Sequence, residues 1–453
     1  MTIEAYNPIA PHRRFQRRLR ASTVQLIGQV ILMAVCVALI VLVATDLMQR
    51  LIGVGGLLGP LKLLILVPML LIVAQYHRYF FRGVFAAPEL SLLLGLALVS
   101  VSWSLDKANT MERLLPLLAT SAFSMTIGAM LSLRGLVIFL ASLSLAIAVL
   151  NFASIATLAE ARGAPPWENT WRGIHNHKNG MGATVMVGTM ISFAAAIVTN
   201  NWVRMFFVMG ALLSFVLLVA SESRTSQIIT IIGIMTMVIA FSYPKQLALW
   251  SASVFLIAVG IVFGSYVMLA TGAADPIFDA LERKATLSGR IPLWQLVWPS
   301  VLDKFWLGYG YVSFWDPEAR RVVEIARDPT LRFTPYYSHN GLIETLLNVG
   351  FAGTVLVIGV IFRLVASVFL LLRAVPGTVL VVPIVVYTVA FMLHNVTESS
   401  ILSRDNLLWM IFVMMATKMC TAGRALRLDA AEQRRQRRAS LGSGARILDP
   451  QVV

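Results

Sequence analysis

Long apolar runs recur along the chain, parted by short polar breaks. A helix of about 20 residues crosses a hydrocarbon core of roughly 30 Å. By that length the runs at 23–45, 51–74, 87–104, 114–132, 135–158, 180–199, 202–220, 226–243, 246–270, 339–360, 378–396 and 405–421 predict about twelve membrane-spanning helices. The stretch 339–372 is too long for one straight span. It is expected to run past the membrane or to break near Gly350 and Gly353. No period of about 20–50 residues stands out, so a repeat architecture finds no support.

Composition agrees with the pattern. The chain is 58% hydrophobic and only 13% charged, where a soluble domain is about a quarter charged. The expected fold is an all-α polytopic membrane protein. A net charge of +15 could suggest nucleic acid, but its distribution argues against it. One cluster, Arg13, Arg14, Arg17, Arg18 and Arg20, precedes the first apolar run, and another, Arg434, Arg435, Arg437 and Arg438, follows the last. Such flanks touch anionic headgroups and fix orientation. The first run lacks a small-residue cleavage site and reads as a retained helix. Cys36 and Cys420 lie in apolar stretches and read as small fillers.

Counting basic residues sets the topology. With both termini cytoplasmic, the inside loops carry Arg78, Arg82, Arg134, Arg204, Lys245 and Arg373. The outside then holds the loops 105–113, 159–179, 221–225, 271–338 and 397–404. The expected organisation is a basic cytoplasmic segment (1–22), nine spans (23–270), a large periplasmic loop (271–338), three spans (339–421) and a basic cytoplasmic tail (422–453). The large loop carries Trp294, Trp298, Trp306 and Trp315, with eight acidic and eight basic residues. Disordered segments are poor in aromatics. This loop is expected to lay amphipathic helices on the outer surface and cap a cavity.

The unusual polar positions all fall on that outer side: WRGIHNHKNGMG (171–182), SESRTS (221–226), TLSGRIPLW (286–294), FWLGYGYVSFW (305–315), SHNGLIE (338–344) and HNVTESS (394–400). Ionisable groups at span ends are costly and point to function. Arg172, Arg224 and Arg290 sit where positive-inside bias excludes them. Guanidinium groups stay charged and grip phosphate with two donors, so together they suggest a lipid-linked phosphate or pyrophosphate. Pairing with Glu168 or Glu222 is the alternative for Arg172 and Arg224. Arg320 and Arg321 are weaker candidates that could simply face solvent.

His339 is the preferred base, since histidine accepts a proton near neutral pH. Asn340 would either hold the substrate or cap the helix that follows. His175 and His177 could suggest a metal, but no carboxylate or thiolate stands at ligand spacing, and none is expected. Lys178 and Asn179 beside them, and Glu398 in the last outer loop, complete the polar candidates. His394 with Asn395 reads as a structural hydrogen bonder. Gly308 and Gly310 allow a tight turn or close backbone approach. There is no Walker motif and no Asp-x-Asp, so neither nucleotide nor metal is expected as cofactor.

Taken in order, HKNGMG (177–182), SRTS (223–226), SGRIPLW (288–294), LGYGYVSFW (307–315) and SHNGLIETLLNVGFAG (338–353) resemble the O-antigen ligase and Wzy-type polymerase family, which includes ExoQ-like exopolysaccharide polymerases. The resemblance spans roughly residues 90–415. It implies a fold related to the lipid-dependent, GT-C-like glycosyltransferases. It also implies inverting transfer of glycan from undecaprenyl pyrophosphate at the periplasmic face of a bacterial inner membrane, without metal or nucleotide. Arg224 and Arg290 would hold pyrophosphate, and His339 would activate the acceptor hydroxyl. Implied partners are the lipid-linked donor, the glycan acceptor, membrane lipid, and chain-length and export proteins.

HKNGMG favours a polymerase over a ligase acting on lipid A core. Twelve spans would also suit a transporter or flippase, but those carry broken helices and carboxylates near the midplane, whereas here the polar motifs gather at span ends.

Overall fold

The computed structural model describes residues 28–52, 58–163, 170–271, 290–316, 319–331 and 334–444. The first arginine cluster, Glu168 and the segment 286–289 lie outside the described residues. Among the described residues the chain is helical, with no strand. In chain order the helices are α1 (Gly28–Ala44), α2 (Leu47–Ile52), α3 (Leu58–Gln75), α4 (His77–Ala86), α5 (Pro88–Val99), α6 (Lys107–Met130) and α7 (Leu133–Thr157). There follow α8 (Lys178–Val198), α9 (Asn201–Ala220), α10 (Arg224–Ser242), α11 (Leu247–Thr271), α12 (Arg290–Asp303), α13 (Arg320–Ala326), α14 (Gly341–Ala374), α15 (Val382–His394) and α16 (Leu407–Gly444).

Eight of these elements are long and apolar enough to cross a membrane. The pair bent by 84° where α3 meets α4 makes a ninth if it counts as one broken span and not as a re-entrant loop, and α1, α5 and α15 are shorter apolar helices. Every one of the twelve expected runs therefore holds an apolar helix, but not twelve full-length spans. The shortfall has local causes. Pro88 starts α5, which closes in a 3-10 turn at Ser100–Ser102, and Pro383 stands in the first turn of α15. The expected span at 114–132 begins earlier, at Lys107, because Asp106 caps it by accepting from the backbone N–H of Asn109.

The core lies where α6, α8, α15 and α16 meet. Phe391 stacks on Phe412 with ring centroids 4.6 Å apart, and the indole of Trp409 donates to Ser121 Oγ at 3.0 Å. Small residues draw backbones together as in other membrane bundles: a Cβ on Gly128 would stand 2.4 Å from the carbonyl oxygen of Met414. By contrast α9, α10 and α11 expose Trp202, Phe206, Leu212, Ile228, Leu249 and Leu256. An apolar surface of that extent is what lipid, not water, accommodates.

The long helix α14 breaks where the sequence suggested. Gly350 takes φ 66° and ψ −164°, a region open to glycine. The break frees backbone groups, and the LGYGYVSFW segment takes them up. Tyr309 and Gly310 donate to the carbonyls of Leu347 and Asn348 at 2.7 and 3.1 Å. Phe351 and Ala352 donate in return to the carbonyls of Phe305 and Trp306 at 2.7 and 3.2 Å. Irregular backbone at membrane depth survives only when protein satisfies it in this way. Gly308 and Gly310 thus serve a backbone splice: a Cβ on Gly308 would stand 2.6 Å from the Leu347 carbonyl oxygen. Helices α12 and α13 of the large loop pack beside the first turns of α14 through Trp294, Phe314, Trp315 and Leu347.

Candidate active site

The sequence Ser338-His339-Asn340-Gly341 turns the chain into α14, and neighbours clamp it on several sides. Asn340 caps the helix: its Oδ1 accepts from the N–H groups of Leu342 and Ile343, both at 3.0 Å. The same oxygen accepts from the Tyr266 hydroxyl at 2.6 Å. Its Nδ2 donates to the Val396 carbonyl, and its backbone N–H to Ser399 Oγ, each at 3.0 Å. The Trp294 indole donates to the Ser338 carbonyl at 2.7 Å, while Glu344 accepts from the Ser338 N–H at 2.8 Å and from the Trp315 indole at 3.1 Å. Gly341 allows the last outer loop to close in, donating its N–H to the Asn395 carbonyl at 2.8 Å. Between these anchors His339 is held at φ 52°, a left-handed conformation that surrounding structure must impose.

The His339 ring lies against Tyr337, with centroids 4.1 Å apart, and its Nδ1 stands 3.5 Å from Glu398 Oε2. The other carboxylate oxygen of Glu398 accepts from Arg290 Nη2 at 2.7 Å and from Asn179 Nδ2 at 3.1 Å. Burial alone would raise the Glu398 carboxyl, but the bond from His339 and the charges of Arg290 and His394 outweigh it and hold it at about 2. Glu398 is therefore a fixed anion. It can orient the imidazole and stabilise its protonated form, as a carboxylate does for a base histidine elsewhere. This junction opens onto a cavity of about 670 Å³, within the range of roughly 300–1,000 Å³ that encloses small ligands. His177, Asn179, Tyr337, His339, His394 and Glu398 all line it.

Four predicted site residues thus come together: His339, Glu398, Arg290 and Asn179. His177 joins the same wall and caps α8, its Nδ1 accepting from the Asn179 N–H at 3.1 Å. Its neighbour His175 is buried and meets Thr184 Oγ1 at 3.0 Å. The other candidates are placed differently. Arg172 is tied to backbone, donating to the carbonyls of Glu160 at 2.7 Å and Asn176 at 3.3 Å, so it staples its own loop. Asn340 is the helix cap, its polar atoms already engaged. Arg321 donates to Ser300 Oγ at 3.0 Å, joining α13 to α12, and Lys178, the first residue of α8, lies outside the cavity lining.

Arg224 is exposed at the start of α10 and also outside the lining, with no ion pair to Glu222 among the described residues. Its neighbour Ser223 packs on Gly182 near the start of α8, so Arg224 sits at the same end of the bundle. Sequence reasoning passed over Tyr337, Tyr266 and Glu344. The signal for Glu344 was present, since an acid one turn into an apolar helix needs partners.

Comparison with known families bears on the same stretch of chain. Residues 209–358, about a third of its length, match the family model Wzy_C, O-antigen ligase. The chain carries a Wzy_C domain, of the O-antigen ligase and Wzy-type family. That assignment implies a membrane glycosyltransferase-like enzyme, with a lipid-linked glycan donor and an acceptor. The matched segment contains Arg224, Arg290 and His339. The Wzy_C segment leaves out Glu398 and Asn179, which complete the junction from α8 and the last outer loop. No curated protein matches the chain.

Proposed function

We propose that this Wzy_C protein polymerises oligosaccharide repeats carried on undecaprenyl pyrophosphate, at the periplasmic face of the inner membrane and without metal or nucleotide. The observation that carries the reading is the carboxylate shared by His339 and Arg290 at the wall of one cavity.

His339, oriented by Glu398, removes the proton of the acceptor hydroxyl as its oxygen attacks the anomeric carbon of the donor. The bond from that carbon to pyrophosphate breaks on the opposite face, so the anomeric centre inverts. The proton stays on the imidazolium, which Glu398 stabilises. Arg290 donates one N–H to Glu398, and a guanidinium has five. In this reading its remaining donors meet the charge gathering on the departing pyrophosphate, where positive groups contribute most. Arg224, at the same end of the bundle, is the second guanidinium of this reading and would meet the distal phosphate.

Transfer to a lipid A core acceptor is the second reading, favoured by the description of the matching family, O-antigen ligase. One experiment separates them. Purified protein in nanodiscs is given an undecaprenyl-pyrophosphate-linked oligosaccharide with EDTA and no nucleotide, and products are sized on a gel. A ladder that His339→Ala abolishes supports the polymerase. Transfer only when lipid A core is added makes the protein a ligase. No transfer to either acceptor sinks both readings and reopens transport.

A further inference from the structure

The cavity has a second charged wall. Arg113, in the second turn of α6, and Arg404, just before α16, both line it. They are close enough for their charges to act on one another, and both act on the buried Tyr311 hydroxyl. Arg113 is steadied by its own helix, its Nε donating to Asn109 Oδ1 at 2.6 Å. Neither guanidinium has an ion pair among the described residues, where Arg290, Arg320 and Arg363 are matched by Glu398, Glu324 and Glu89. Nearby acids do not fill the role. Asp106 is occupied in capping α6, and Glu112 is exposed.

Two like charges turned toward one partly buried space repel unless an anion lies between them. Planar guanidinium groups match carboxylate and phosphate oxygens two at a time. This wall is also distinct from the His339 junction. The charges acting on Glu398 come from Arg290, His394 and His339, and those acting on Arg113 come from Arg404, Glu112, Tyr311 and Asp106. Val312 and Asn348 also line the cavity, joined by a bond of 2.9 Å from the Val312 N–H to Asn348 Oδ1. A donor pyrophosphate is attached directly to the reacting carbon and must stay beside His339. An anion held at the second wall belongs to a sugar further along the glycan.

We infer that Arg113 and Arg404 form an anion-recognising subsite that takes a carboxylate or phosphate group borne by the glycan. The inference rests on the glycosyl-transfer reading, and its test uses binding alone so that the two can fail separately. Wild-type protein in nanodiscs, at near-physiological salt, is titrated with three probes: an oligogalacturonate, its carboxyl-reduced neutral counterpart and a phosphorylated oligomannose.

At least one anionic probe should bind about tenfold or more tightly than the neutral one, a difference of about 1.4 kcal/mol. Arg113→Gln with Arg404→Gln should remove that preference and leave neutral binding and the unfolding midpoint unchanged, while the paired Lys variants retain part of it. Arg404→Gln alone, outside the helices, keeps the test available if the double variant does not fold. Equal binding of all three probes by wild type overturns the inference, as does a preference that survives the Gln variants. Loss of undecaprenyl pyrophosphate binding in those variants would also overturn it, by assigning the wall to the donor. An anionic preference in a protein that transfers no glycan supports the subsite and removes the transfer reading.

Discussion

Arg290 and His339, at the two ends of the last stretch of the large loop, meet on the two oxygens of a single carboxylate. Glu398 accepts from Arg290 at 2.7 Å through Oε1 and stands 3.5 Å from His339 Nδ1 through Oε2. The imidazole and the guanidinium are therefore one electrostatic unit, not independent groups. Removing any member changes the other two.

His339→Gln should lower the transfer rate by about 10²–10⁴-fold, the usual worth of a positioned general base. Its midpoint of thermal unfolding should stay close to wild type, because the turn is held by Asn340 and Glu344. Donor turnover and unfolding, measured on the same preparation, check this. Equal activity in the variant would remove His339 from the chemistry.

Glu398 acts through His339 and Arg290, so its loss should show in both stability and pH dependence. Glu398→Ala leaves Arg290 largely buried and unmatched, a change that costs about 3–5 kcal/mol in comparable buried pairs. In the folded protein the carboxyl ionises at about 2, against an ordinary 4.5. Its stabilisation is complete above about pH 4.5 and is lost as pH falls through that window toward 2. The gap in unfolding midpoint between wild type and Glu398→Gln should be wide at pH 7 and narrow toward pH 3. A constant gap would contradict the depressed carboxyl.

Asn340→Ala should destabilise by about 1–2 kcal/mol through the lost cap, with a further loss from the stranded Tyr266 hydroxyl. A direct role in holding the substrate predicts the reverse pattern, an unchanged unfolding midpoint and a raised KM. Measuring both quantities on one variant decides between the cap and the ligand.

Gly350→Ala places a Cβ 2.4 Å from the backbone of Trp306 at φ 66°, and should displace the splice between α14 and the large loop. A strained backbone position alone costs about 1–3 kcal/mol, and the collision adds to it. Gly260→Ala provides the control, since nothing lies within 4 Å of that position. It should be neutral or slightly stabilising, by up to about 1 kcal/mol. Comparable losses from both would show that the effect at Gly350 is not specific to the break.

Each predicted apolar run holds an apolar helix, because length and hydropathy are local properties, but the runs passed over α4, the second arm of the bent pair. They also placed the break at Gly350, since a 34-residue helix outruns a bilayer. His339, Arg290, Glu398 and Asn179 were legible as polar residues in an apolar setting. Which of them touch was not, because Glu398 lies 108 positions from Arg290 and 219 from Asn179. Arg172 and Asn340 looked available for a ligand for the same reason: the carbonyls and N–H groups that occupy them leave no trace in side-chain identity. Arg113 went unnoticed because one arginine near a span end resembles a snorkelling residue until Arg404 is brought opposite it.

The interrupted α14 has a mechanical consequence. Its short upper piece, Gly341 to Val349, is bolted to the turn that carries His339 and, through borrowed peptide bonds, to the tryptophan-rich loop. The lower piece, down to Ala374, faces the bilayer with Val355, Ile358 and Phe362 exposed. The head of that lower piece is tied to the same loop, through the N–H groups of Phe351 and Ala352 and the stacking of Phe351 on Phe305. Both halves of the broken helix therefore share one brace, and the turn that carries His339 is fastened to the lower piece through the loop as well as through the chain.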